Sequence, residues 1–150
     1  MYAKLLREAE QLGLDIYEKE MPPRLKGLYG DNVIWINKNI PTEAEKACIL
    51  AEEMGHYHTS AGNILDQTKI ENRRQEIRAR RWAYEKLVPL RSLVQAWQAG
   101  VSGRYELAEY LGVTEEFLEE AIKYYKQRYG LSASIDGYII YFDPLAISEY

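Results

Sequence analysis

Thr42-Glu43-Ala44-Glu45-Lys46-Ala47-Cys48-Ile49-Leu50-Ala51-Glu52-Glu53-Met54-Gly55-His56 decides how this chain is built. Thr42 with Glu45 three residues later is a capping box, so a helix starts here. Ala44, Ala47, Cys48, Ala51, Met54 and Gly55 then form a stripe of small apolar residues, which suits a helix lying deep in the core against close neighbours. The pattern fails near Thr59, Ser60 and Gly62.

Upstream, Leu5, Leu6, Ala9 and Leu12 recur at helical spacing over residues 2–12, and Gly13 closes that helix. From Leu14 to Asn37 the period shifts toward two. Leu25–Tyr29 and Val33–Ile36 flank Gly30-Asp31, a pair that suits a type II′ hairpin. Val33–Ile36 is apolar on both faces and belongs inside a small, mostly antiparallel sheet. Downstream, helices are expected from about Glu71 to Val88, stopped by Pro89, then over Leu90–Ala99, Arg104–Leu111 and Glu115–Tyr129, with Thr114 as a cap. Tyr138–Phe142 reads as a strand and Asp143-Pro144 as its stop. The expected architecture is a single α+β domain over 1–150. Its sheet and motif helices occupy 1–89, and 90–150 is helical with a terminal strand.

Composition narrows the function. The 150 residues are 47% hydrophobic, enough for a packed core. A net charge of −4 gives no broad attraction to phosphate backbones or anionic lipid. No uncharged run approaches the roughly 18 residues of a membrane helix, and Lys4, Arg7, Glu8 and Glu10 exclude a secretory leader, so a cytoplasmic setting is expected. The single cysteine, Cys48, excludes an internal disulfide framework and a four-cysteine zinc site; it reads as a buried small hydrophobe.

The chemistry concentrates at Glu52-Glu53-Met54-Gly55-His56. Glu52 and His56, four residues apart, project from one helical face and can reach one point, where a metal ion could be held. A catalytic zinc takes three protein ligands and keeps one position for water. Glu53, turned about 100° from Glu52, could hydrogen-bond that water as its general base. The alternative is a set of solvated side chains near a helix end, with His56 favoured by the dipole. His58 points nearly opposite to His56, and reaches the same point only if the helix unwinds at Tyr57.

This stretch resembles the ImmA/IrrE-type metallopeptidases of prophages and mobile elements, which are related to zincin proteases by a His-Glu-x-x-His helix. The resemblance covers the strand Asn32–Ile36, the lead-in Pro41-Thr42-Glu43, the motif helix Ile49–His56, and Glu76-Ile77-Arg78-Ala79-Arg80-Arg81-Trp82-Ala83 through Leu87-Val88-Pro89. It implies a zincin-like sheet packed on the motif helix. It also implies a third metal ligand at Glu76, beside Glu52 and His56, with Glu53 catalytic. Read locally, without the resemblance, Glu76 is instead an intrahelical partner for Arg80. The expected activity is a zinc-type endopeptidase cleaving a helix-turn-helix repressor.

Glu52 stands where the family's first histidine is usual. The oxygen-rich set Glu52/His56/Glu76 implies weaker zinc binding or tolerance of Mn2+ or Fe2+, and a less acidic bound water. A catalytically degenerate anti-repressor, which binds without cutting, is the alternative. Two charged regions complete the reading. Lys69, Arg73, Arg74, Arg78, Arg80, Arg81 and Lys86 are either a solvated helix face or, if they cluster, a patch for nucleic acid or an acidic peptide. Leu107–Thr114 resembles the first helix and turn of a helix-turn-helix reader. The next helix carries Glu115, Glu116, Glu119 and Glu120, which disfavours DNA and suits a basic protein partner.

Overall fold

A computed structural model describes residues 1–59 and 69–150, which form two compact units, Met1–Ala83 and Tyr84–Tyr150. The architecture is α+β. None of the described helices is long and apolar enough to cross a membrane.

In the first unit, α1 (Tyr2–Gln11) buries Leu5 and Ala9, one turn apart. Gly13, at φ +83°, turns the chain into β1 (Asp15–Lys19), which is followed by β2 (Gly27–Gly30) and β3 (Val33–Asn37). The sheet order is β1-β3-β2. As its two apolar faces required, Val33–Ile36 is the central strand, with Ile34 and Ile36 fully buried. The sheet is mixed rather than mostly antiparallel: β2 pairs antiparallel to β3, while β1 pairs parallel to it. The Pro22-Pro23 segment carries the chain past the place that β3 later fills, so β1 and β2 end on opposite sides of it.

The hairpin turn also differs from the expected one. Gly30 is still in the strand, paired with Val33, and the loop is Asp31-Asn32, at φ 50° and 62°. Two successive left-handed residues make a type I′ turn, a conformation Asp and Asn tolerate better than most. Asn37 N–H donates to Lys26 O at 2.9 Å, which fixes the alternation along β2. The backbone groups of Gly27 and Tyr29 therefore point away from β3, to the open edge. Asn37 also anchors the loop before β2. Its buried Nδ2 donates to the carbonyls of Leu25 (2.8 Å), Met21 (3.1 Å) and Pro22 (3.3 Å), and its Oδ1 accepts from Asn39 N–H (3.1 Å).

Helix α2 (Glu43–Thr59) starts as the capping box requires, Thr42 Oγ1 accepting from Glu45 N–H at 3.2 Å. It packs against α1, β2 and β3, with Leu50, Ala51 and Met54 in the core. Of the residues expected to end it, Thr59 is still helical, while Ser60 and Gly62 lie outside the described residues. Helix α3 (Lys69–Leu87) is already helical where the described residues resume, so the expected start at Glu71 lies within it. A Cβ on Gly55 would overlap the Ala79 carbonyl, coming within 2.9 Å of its carbon and of Ala79 Cα. The two helices touch backbone to backbone at this point.

The second unit holds α4 (Leu90–Gln98), α5 (Arg104–Leu111) and α6 (Glu115–Tyr129), at nearly the expected limits. Gly112, in the left-handed conformation, closes α5, and Thr114 Oγ1 accepts from Phe117 N–H at 3.1 Å to open α6. The rest is not a single terminal strand. β4 (Ser132–Ile135), β5 (Tyr138–Phe142) and β6 (Leu145–Glu149) form an antiparallel meander, and Asp143-Pro144 is a hairpin loop instead of a stop. Phe142 and Ile140 of β5 are buried, and the buried Tyr125 of α6 lies 5.9 Å from the Phe142 ring while its hydroxyl donates to Val88 O at 2.7 Å.

The contact at Gly55 yields a paired test. Gly55→Ala should lower unfolding free energy by about 1–3 kcal/mol in urea denaturation, because the α2–α3 contact must open. Gly30→Ala, which meets nothing within 4 Å, should change it by less than about 0.5 kcal/mol.

Candidate functional site

Glu52, Glu53 and His56 lie on the last two turns of α2, where the helix passes closest to α3. Glu76 of α3 comes to meet them, its Oε1 3.1 Å from His56 Nε2. Of the two partners open to Glu76 in the sequence, it pairs with His56 and not with Arg80. Arg80 instead acts by its charge on Glu52. Two residues twenty positions apart are joined here because Gly55, immediately before His56, lets the helices approach.

Glu52 is not drawn into a third position beside that pair. Among the described residues, no three His, Cys, Asp or Glu side chains are gathered closely enough to enclose an ion. His58 lies elsewhere: α2 stays helical through Tyr57, and the His58 ring stacks on Trp82 of α3 at 4.5 Å. Cys48 is buried on α2, as a small hydrophobe would be.

The site concentrates negative charge. Burial pushes the Glu53 carboxyl up to about 8 from its ordinary 4.5, and the nearby carboxylates of Glu76 and Glu52 add to the rise. Burial also raises Glu52. Arg80 and Lys26 oppose that rise and Glu76 reinforces it. Neither Glu52 nor Glu53 has a hydrogen-bond or ion-pair partner among the described residues.

Strand β2 closes one side. A Cβ on Gly27 would lie 2.8 Å from Ile49 Cγ2 and 3.3 Å from Glu53 Cγ, so the bare backbone of the edge strand rests on the Glu53 stem. Gly27 was legible only as part of a strand, yet an isolated glycine within a strand pattern marks close backbone approach. Gly55 carried the same signal inside a helix.

The sequence profile of the peptidase M78 family, described as the IrrE N-terminal-like domain, matches residues 9–123. The chain belongs to that family. Neither the curated proteins nor the solved structures give a significant match. The peptidase M78 match spans β1–β3, both helices of the site, α4, α5 and α6 as far as Lys123.

M78 is a metallopeptidase family, and the donor chemistry of this M78 domain fits a divalent cation. It combines one imidazole nitrogen, hard carboxylate oxygens, and partly buried acids whose ionisation burial opposes. The described side chains supply the donor types, with only the His56–Glu76 pair drawn together.

The sign of the Glu53 shift gives a pH test. Between about pH 4.5 and 8 the folded chain keeps a proton on Glu53 that the unfolded chain releases. Stability of chelator-treated protein should therefore fall as pH rises through that window and level off above it. Glu53→Gln mimics the protonated acid. It should remove this part of the slope, leaving stability unchanged at pH 4 and raising it by roughly 2 kcal/mol at pH 9, allowing for partial exposure, in urea titrations.

Proposed function

We propose that this domain is a metal-dependent endopeptidase of zincin-like plan, with Glu52, His56 and Glu76 as ligands and Glu53 as general base. The observation that carries the reading is the 3.1 Å approach of Glu76 to His56, one residue beyond Gly55 and one turn beyond Glu52. The cation is Zn2+, with Mn2+ or Fe2+ as alternatives favoured by the oxygen-rich set. When bound, it supplies polarisation of the scissile carbonyl and acidification of a water molecule.

The chain's own residues do the rest. With its proton affinity near neutrality, Glu53 can take a proton from the attacking water and pass it to the leaving amine nitrogen. Substrate backbone pairs with the sheet at β2. β3 is paired on both sides and offers no edge, whereas β2 is an edge strand on which Gly27 and Tyr29 turn their backbone groups outward, unpaired among the described residues, with Gly27 resting on Glu53. The substrate is a helix-turn-helix repressor, met in the cytoplasm.

The second reading is a non-cutting anti-repressor. It is favoured by Glu52 at the usual histidine position and by the lack of a gathered three-donor group among the described residues. In that reading the α6 acids dock the basic repressor. Glu119 is engaged by Arg104 at 2.8 Å and Glu116 is exposed, so charge reversal at Glu116 and Glu119 should weaken repressor binding.

Metal analysis of freshly purified protein, followed by incubation with a repressor encoded beside it, separates the two. A peptidase holds about one equivalent of metal, cuts the repressor, and stops when chelated. Glu53→Gln should keep the metal and lower the cleavage rate by about 100-fold or more. Glu52→His should tighten zinc binding by about tenfold. Full cleavage by the Glu53→Gln protein would remove the proposed base, and tight repressor binding without metal or cleavage would favour the anti-repressor.

A further inference from the structure

Helix α3 carries a second feature beside the site. Between Asn72 and Ala83 there are five arginines, Arg73, Arg74, Arg78, Arg80 and Arg81, against one acid, Glu76. The buried side of α3 is formed by Gln75, Ala79 and Ala83, and all five arginines are exposed. They form contiguous rows: Arg73, Ile77 and Arg81 follow at four-residue steps, and Arg74 and Arg78 run alongside. Arg73, Arg74 and Arg78 have no ion-pair partner among the described residues. Ile77, in the middle of the band, is 41% exposed. Arg73, Arg74 and Arg78 thus set positive charge around an exposed aliphatic side chain, in a chain whose net charge of −4 argues against general polyanion binding.

The band begins at the candidate site. Arg80 follows Glu76 by one turn and Arg73 precedes it by one turn, so a segment bound over Glu76 runs directly onto the arginines.

We infer that the outer face of α3 is a docking surface for an acidic, leucine- or isoleucine-containing segment of the polypeptide substrate, lying to one side of the bond over Glu53. The inference rests on the peptidase reading only for calling that segment substrate. The choice of a peptide over a nucleic acid follows from two observations. Glu76 stands within the band and repels a continuous phosphate backbone, whereas a peptide can place its acids on the arginines alone. Ile77 adds an apolar contact that phosphates do not use.

The test is fluorescence anisotropy on full-length protein with a labelled 12-residue peptide of alternating Glu and Leu, under chelator so that no cleavage intervenes. A charge-reversed Lys/Leu peptide and a 20-base-pair duplex serve as controls. Wild type should bind the acidic peptide saturably, more weakly at high salt, and neither control comparably. Arg73→Glu/Arg74→Glu/Arg78→Glu should weaken binding by about tenfold or more with an unchanged thermal midpoint, and Arg73→Ser/Arg74→Ser/Arg78→Ser should weaken it less. Because these substitutions avoid Glu52, Glu53, His56 and Glu76, the peptide result stands whether or not the protein cleaves a repressor. Equal peptide affinity in wild type and the charge-reversed variant, or no saturable binding by wild type, overturns the inference. Duplex bound more tightly than peptide, and lost in the same variant, overturns it in favour of nucleic acid.

Discussion

The backbone contact between Gly55 and Ala79 is the constraint on which the first unit depends. Helices packed through ordinary side chains keep axes 8–10 Å apart, and a glutamate on one then meets its neighbour's histidine only by chance of rotamer. With no side chain at Gly55 and only a methyl at Ala79, α2 and α3 close up, and Glu76 falls within hydrogen-bond distance of His56. His58 on Trp82 makes a second tie between the same two helices, through stacked rings. Structure and chemistry thus share one stretch of α2. The residue that permits the packing sits between Glu52 and His56, and the motif cannot be altered there without moving its partner helix.

Electrostatics works against the packing. Bringing Glu76 to α2 places a third carboxylate near Glu52 and Glu53, and burial withdraws water that would otherwise screen them. A hydrophobic cluster of the same size would be easier to fold. Retaining the acids leaves carboxyl groups whose ionisation burial opposes, and positive charge arriving there, from a cation or from a lysine or arginine of another chain, would favour their charged forms.

What could be read in advance follows from the range of the interactions. The start of α2, its small-residue stripe and the α5–α6 junction are set by contacts within four residues, and the capping box, Gly112 and Thr114 carry them in plain view. The centrality of β3 showed in its two apolar faces, but period two says nothing about strand direction, so the parallel partner β1 went unread. β4 and β6 are short and mixed in polarity, as in Ser132-Ala133-Ser134-Ile135, and they exist through pairing with β5 instead of through any pattern of their own. Glu52, Glu53 and His56 were visible as a four-residue step on one helix. Glu76 was not distinguishable by local rules from a partner of Arg80, and only the family resemblance selected it. Asn37 carries no local signal of its role, because that role lies in three carbonyls that the Met21–Leu25 loop folds back to present.

The brevity of β2 has a consequence of its own. Only Gly27 and Tyr29 turn their main-chain groups outward, so a visiting strand finds a foothold of two residues before the chain bends away at Asp31-Asn32. At about 1 kcal/mol net for each hydrogen bond, so small a foothold holds nothing for long by itself. Two copies therefore gain little by pairing β2 with β2, and any polypeptide that lingers at this rim does so because its side chains find something else to hold.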